Sequence, residues 1–140
     1  MNSYQKINNI VGWLIFIVAS GVYISTIEPV ASFWDCAEFI ASAYKLQVPH
    51  PAGAPMFLLI GRMFSMFAAS DVESVGFAVN LVSALSSGFT ILFLFWSINL
   101  LAHKIMGIKV GEADSAQTLR IILAGSIGSL AFTFSDSFWW

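Results

Sequence analysis

The sequence predicts an all-α polytopic membrane protein, and three observations predict it. Of its 140 residues, 58% are hydrophobic and only 10% are charged, where average soluble domains carry roughly 25% charged residues. The mean hydropathy is +0.81. Several apolar runs approach the about 20 residues that a helix needs to cross a bilayer. The net charge of −2 points to neither nucleic acid nor an acidic partner. Cys36 is the single cysteine, so no internal disulfide can form.

Residues 9–27 are the first expected span. Lys6 ahead of an apolar run imitates a secretory signal, but the apolar core of a signal covers about 7–15 residues. No small-x-small cleavage site precedes the aromatic loop, so this segment is expected to be retained. An outer loop, 28–76, follows and carries two helices, an amphipathic one over about 33–46 and a juxtamembrane one over about 55–70. The second reads "PMFLLIGRMFSMFAAS", short for a span and with Arg62 in its middle. A mid-bilayer arginine costs at least roughly 2.5–3.5 kcal/mol on insertion scales, so this helix is expected to lie at the interface. Residues 77–102 are the second and most apolar span, 103–119 a cytoplasmic loop, and 120–135 the third span. In the last, Gly125, Ser126, Gly128 and Ser129 allow close helix approach. The sequence closes on Phe138-Trp139-Trp140 without a polar tail and is expected to continue as part of a longer chain.

Basic residues set the expected orientation. Lys6, Lys104, Lys109 and Arg120 mark the cytoplasmic side. The 28–76 loop holds Lys45 and Arg62 against Glu28, Asp35, Glu38, Asp71 and Glu73, and is expected outside. Asp136 emerges on that same side. No G-x-x-x-x-G-K loop, H-E-x-x-H motif or Cys/His cluster is present, so soluble-type nucleotide or zinc chemistry has no seat.

The polar chemistry gathers in "FWDCAEFIASAYKLQVPHPAGAP", residues 33–55. On a helix, Asp35, Glu38, Ser42 and Lys45 fall within about 80° of one another, and Phe33, Ala37, Ile40, Ala41 and Tyr44 take the other side. An interfacial helix needs such a stripe with no catalysis implied. The same stripe offers Asp35 as a general base, or the two carboxylates as hard ligands for a divalent cation, a candidate cofactor that nothing in the sequence requires. With no histidine expected beside them, the pair makes a poor zinc site. Pro49, Pro51 and Pro55 stiffen the following turn, where His50 is either structural or catalytic. Arg62 either binds a phosphate at headgroup depth or snorkels to the interface. Cys36 reads as a small spacer.

The order of these parts resembles the N-terminal region of the GT-C superfamily of glycosyltransferases, which use lipid-phosphate-linked sugars. It is similar above all to protein O-mannosyltransferases and aminoarabinose transferases. More closely, "FWDCAEFIASAYKLQVPHPAGAPMFLLIGRMFS" resembles a domain-of-unknown-function family of polytopic proteins common in Bacteroidetes, whose animal member is a transmembrane O-mannosyltransferase. "FTFSDSFWW" is similar to that family's next outer loop. There are departures. The acids stand as Asp35-Cys36-Ala37-Glu38 instead of an adjacent pair, Ala37 replaces a glycine, and "PHPAGAP" at 49–55 replaces "GHPPGAP".

The resemblance implies the N-terminal part of a GT-C-type helical bundle in the bacterial inner membrane, its active loop facing the periplasm. It implies inverting transfer of a sugar from a polyprenyl-phosphate donor to a Ser or Thr hydroxyl of a protein acceptor. Asp35 and Glu38 would be catalytic, and His50, Arg62, Trp34 and Asp136 would bind substrate. The alternative is a transporter or a membrane assembly subunit without catalysis. Transporters place ionisable residues inside their spans, and the first two expected spans contain no Asp, Glu, Lys, Arg or His.

Overall fold

The computed structural model describes residues 3–31, 34–51, 53–68, 71–109 and 112–135. Its elements are α1 (Ser3–Ser25), α2 (Cys36–Lys45), α3 (Pro55–Ser65), a 3-10 turn (Met66–Ala68), α4 (Ser74–Ile105) and α5 (Ser115–Thr133). Among the described residues all regular structure is helical. Two helices, α1 and α4, are long and apolar enough to cross a membrane. At 1.5 Å per residue, the 32 residues of α4 extend about 48 Å. That exceeds a hydrocarbon core of about 30 Å, so α4 outruns the expected 77–102 at both ends.

The chain divides into two compact units, Met1–Val22 with Ser87–Trp140, and Tyr23–Ser86. In the first, α1 and α4 run antiparallel. Tyr4 packs on His103 (ring centroids 4.6 Å apart), Trp13 on Trp96 (6.4 Å) and Phe16 on Phe89 (4.6 Å). Between these pairs Asn99 donates a 2.7 Å hydrogen bond to Asn8 Oδ1. The core of this unit is Ile91, Leu92, Phe95 and Ile121. Gly125 of α5 sits so close to the Asn99 amide that any side chain there would overlap it. A capping box starts α5 five residues before the expected span begins and turns the last part of the expected cytoplasmic loop into helix. The Asp114 carboxylate accepts from the Gln117 amide (2.7 Å), and the Gln117 side chain accepts from the Asp114 amide (3.0 Å).

The second unit is built on α2 and α3, over a core of Ala43, Leu58, Ala68, Val75, Ala78 and Val79. Phe39 meets Phe57, Ala43 meets Gly61, and Tyr44 meets Arg62. Each pair is 18 positions apart, so the two helices run in the same direction and residues 46–54 must return along α2. Two local choices permit that return. Leu46 adopts the left-handed conformation (φ 52°), with Leu46 and Gln47 amides donating to Ala43 and Ser42 carbonyls, which closes α2. Pro55 then opens α3 at a position where its missing N–H costs nothing.

The structure corrects the expected amphipathic helix in two ways. It begins at Cys36, because Trp34 has φ 60° and cannot continue a right-handed helix. Ser42, expected on the polar stripe, is buried, on the side where the chain turns back and Gln47 donates to the Ser42 carbonyl. The stretch expected as a juxtamembrane helix forms α3 followed by the 3-10 turn. Its outer side leaves Met56, Leu59, Met63, Met66 and Phe67 exposed, the apolar face an interfacial helix presents to lipid.

Candidate functional site

The return of the Pro-rich segment along α2 carries His50 back to the start of that helix. There Glu38 meets both the backbone amide and one ring nitrogen of His50. The His50 backbone amide donates to Glu38 Oε1 at 2.8 Å, and ring Nδ1 lies 3.0 Å from Oε2. The opposite ring nitrogen, Nε2, faces Asp35 Oδ2 at 3.8 Å. Phe39 supports the imidazole edge-on at 5.8 Å. The imidazole therefore sits between two carboxylates, one gripping it and one facing it.

These groups are in contact with solvent: side-chain exposure is 48% for His50, 43% for Glu38 and 59% for Asp35. Asp35 occupies the N-cap position of α2, yet its side chain makes no capping bond, which leaves its carboxylate to other chemistry. The hydrogen bond from the His50 amide, then that from the ring, holds the Glu38 carboxyl below its ordinary 4.5. His50 is raised above 6.5, first by its hydrogen bond to Glu38, then by that carboxylate's charge, with a smaller contribution from Asp35.

Sequence reasoning placed no histidine beside the acid pair, and the structure corrects this. One ring nitrogen of His50 and one oxygen each from Asp35 and Glu38 lie within 4.8 Å of one another. Such a set of oxygen and imidazole donors can hold a divalent cation. The separation of 12 residues hid the contact between Glu38 and His50; the signal was the proline-stiffened return that parallel helices demand.

The other expected residues take different places. Trp34 is adjacent to Asp35, left-handed and 95% exposed. Strained backbone of this kind concentrates at ligand sites. Arg62 donates to the Tyr44 carbonyl at 2.5 Å and stacks over the Tyr44 ring at 5.4 Å. It thereby satisfies a terminal carbonyl of α2, about 9 Å along the helix from Glu38 at 1.5 Å per residue. Asp136 lies outside the described residues. An open cavity of about 320 Å³, which sequence reasoning missed, adjoins the cluster and is lined by Cys36, Phe39, Ile40, Phe57, Asn80 and Ser83. Phe39 is common to both, touching His50 on one side and Phe57 on the other.

A family model described as Protein O-mannosyl-transferase TMEM260 N-terminal domain matches residues 35–140. The chain is also similar to the Protein O-mannosyl-transferase tmem260 of Dictyostelium discoideum, at 30% identity over 87 residues. That alignment covers 62% of this chain and 11% of the relative, so the chain corresponds to a small part of that protein. No solved structure matches significantly.

Proposed function

Because the chain belongs to the protein O-mannosyl-transferase TMEM260 N-terminal domain family, we propose that Asp35, Glu38 and His50 form part of a membrane glycosyltransferase site. The reaction is inverting transfer of a mannose-type sugar from a polyprenyl-phosphate donor to a Ser or Thr hydroxyl of a protein, within a GT-C-type bundle. It takes place at the outer face of the membrane, the periplasmic face in a bacterium. The observation that carries this reading is the His50 ring seated between the Asp35 and Glu38 carboxylates.

In this mechanism Asp35 accepts the proton of the acceptor hydroxyl as its oxygen attacks the anomeric carbon. The bond from that carbon to the phosphate oxygen breaks, and the lipid phosphate leaves with the bonding electrons. Glu38 fixes the imidazole through Nδ1, which turns Nε2 towards Asp35. Trp34 offers an exposed ring face for the sugar. Arg62, which holds the Tyr44 carbonyl farther along α2, steadies the charge that gathers on the departing phosphate. The apolar walls of the adjoining cavity suit the first part of the lipid. Asp136, in the next outer loop that the family resemblance implies, would join the substrate-binding residues.

The convergence of three donor groups within 4.8 Å favours a second reading for one component. In it Asp35, Glu38 and His50 would hold a divalent cation, which would supply positive charge for the donor phosphate. Activity abolished by chelation and restored by Mn2+ would select this version; activity indifferent to chelation selects the metal-free one.

The experiment for the transfer itself compares intact masses of envelope glycoproteins from a gene-deletion strain. The strain is complemented with the wild-type reading frame or with Asp35→Asn at equal protein level. The proposal expects a hexose-sized mass to disappear on deletion, to return with wild type, and to stay absent with Asp35→Asn. Unchanged glycoprotein masses in the deletion strain favour the transporter or assembly alternative.

A further inference from the structure

We infer that Asn80, on α4, is a positioning residue that holds the Asp35-bearing segment in its working place. The inference rests on the transferase reading above. Its basis is the set of bonds made by a single side chain. The Asn80 amide donates to the Glu28 carbonyl at 3.0 Å and to the Val30 carbonyl at 3.3 Å. Its Oδ1 accepts from the Cys36 thiol at 3.8 Å. Residues 28–30 lie before Asp35 and Cys36 lies directly after it, so one amide group ties both flanks of the catalytic carboxylate to the same turn of α4.

One turn earlier, Gly76 lets the same segment approach. A side-chain carbon at 76 would stand 3.0 Å from the Pro29 carbonyl oxygen and 3.3 Å from the Val30 Cα. Gly76 and Asn80 are four positions apart, so they share one face of α4. Together they form a seat for residues 28–30 and Cys36, closed by a bare backbone at one end and a three-way hydrogen bond at the other. Asp35 needs such an external clamp. Its own side chain caps nothing in α2, and Trp34 before it is held in a left-handed conformation that favours other geometries. Asn80 also lines the cavity beside Phe39, so it sets the distance between that cavity and the carboxylate.

The test uses protein from the complete reading frame in its native membrane, with Asn80→Ala and Gly76→Ala as independent variants. Gly76→Ala favours α4 locally, so it displaces the segment without weakening the helix, and it keeps the test decisive should Asn80→Ala fail to accumulate. Two quantities are read: steady-state transfer from a synthetic polyprenyl-phosphate mannose, and the rate of maleimide addition to Cys36, located by peptide mass. We expect kcat to fall at least about 10-fold with the donor KM within about 3-fold of wild type, since small displacements of a reacting group act on the chemical step. Cys36 labelling rises at least about 3-fold as its hydrogen bond is lost or its flank shifts, and Asn80→Gln, which restores an amide, recovers part of both. An unchanged kcat, an unchanged labelling rate, or a fall in kcat matched by an equal fall in protein level overturns the inference. A full-activity Asp35→Asn control would instead remove the base assignment, and the labelling arm would still report whether Asn80 holds the segment.

Discussion

At the scale of single residues, the Glu38–His50 pair makes the sharpest statement. His50 is raised above 6.5, so its contribution is complete below that value and is lost as pH rises through the folded value. Glu38 is lowered, so its contribution is complete above 4.5 and is lost as pH falls through its folded value. The tie between them is therefore fully formed between about pH 4.5 and 6.5. Histidine NMR should place the His50 midpoint above 6.5, and Glu38→Gln should bring it back towards 6.5. The His50 amide, which donates to Glu38 Oε1 at 2.8 Å, should show its highest exchange protection within that pH window. A His50 midpoint indifferent to Glu38→Gln would disprove the pairing. The sequence exposed these residue types and the separation of the two acids, but not their partner. His50 is 12 positions from Glu38, and only the direction of the return segment joins them.

At the scale of elements, close approach rests on small residues and on polar contacts placed between apolar helices. Asn99 bonds Asn8 across α1 and α4 and leaves room for α5 only because residue 125 is glycine. Gly125→Leu forces that amide aside in a packed interface. Overpacking of this kind destabilises by about 1–3 kcal/mol, so a fall in the thermal unfolding midpoint of the membrane-extracted protein is expected. Asn99→Ala together with Gly125→Leu should recover part of it. Additive losses in the double variant would argue that the two positions do not meet. The helices themselves were largely legible from apolar run length. Their ends were less so, because they depend on local bonds instead of hydropathy. The Asp114-Ser115-Ala116-Gln117 capping box starts α5 earlier than its apolar run does, and the left-handed Trp34 starts α2 later than its amphipathic pattern does. Ser42 was misassigned because a helical pattern alone does not show where the chain turns back over a polar stripe.

For the whole molecule, the account requires the loop between α1 and α4 to lie outside. Cys36 is the single cysteine of these 140 residues and half-buried, which makes it a direct reporter. In protein from the complete reading frame with other cysteines removed, a membrane-impermeant maleimide should modify Cys36 in intact spheroplasts and spare it in sealed inverted vesicles. The reverse pattern would place the cluster on the cytoplasmic side and remove the proposed reaction. Family membership and the all-helical architecture agree with what the sequence led one to expect, since both are carried by run length and by the motif around Asp35. The joined geometry of Asp35, Glu38 and His50 is a property of the folded loop.

The most direct test of the central claim is the rate of mannose transfer by the purified full-length protein, measured for wild type and Asp35→Asn with a synthetic polyprenyl-phosphate mannose and a Ser/Thr peptide. Removing a general base costs about 100- to 10,000-fold, so kcat should fall at least about 100-fold with the donor KM nearly unchanged. An Asp35→Asn enzyme that retains kcat within about 3-fold of wild type would contradict the assignment and leave the cluster a structural feature of the outer loop.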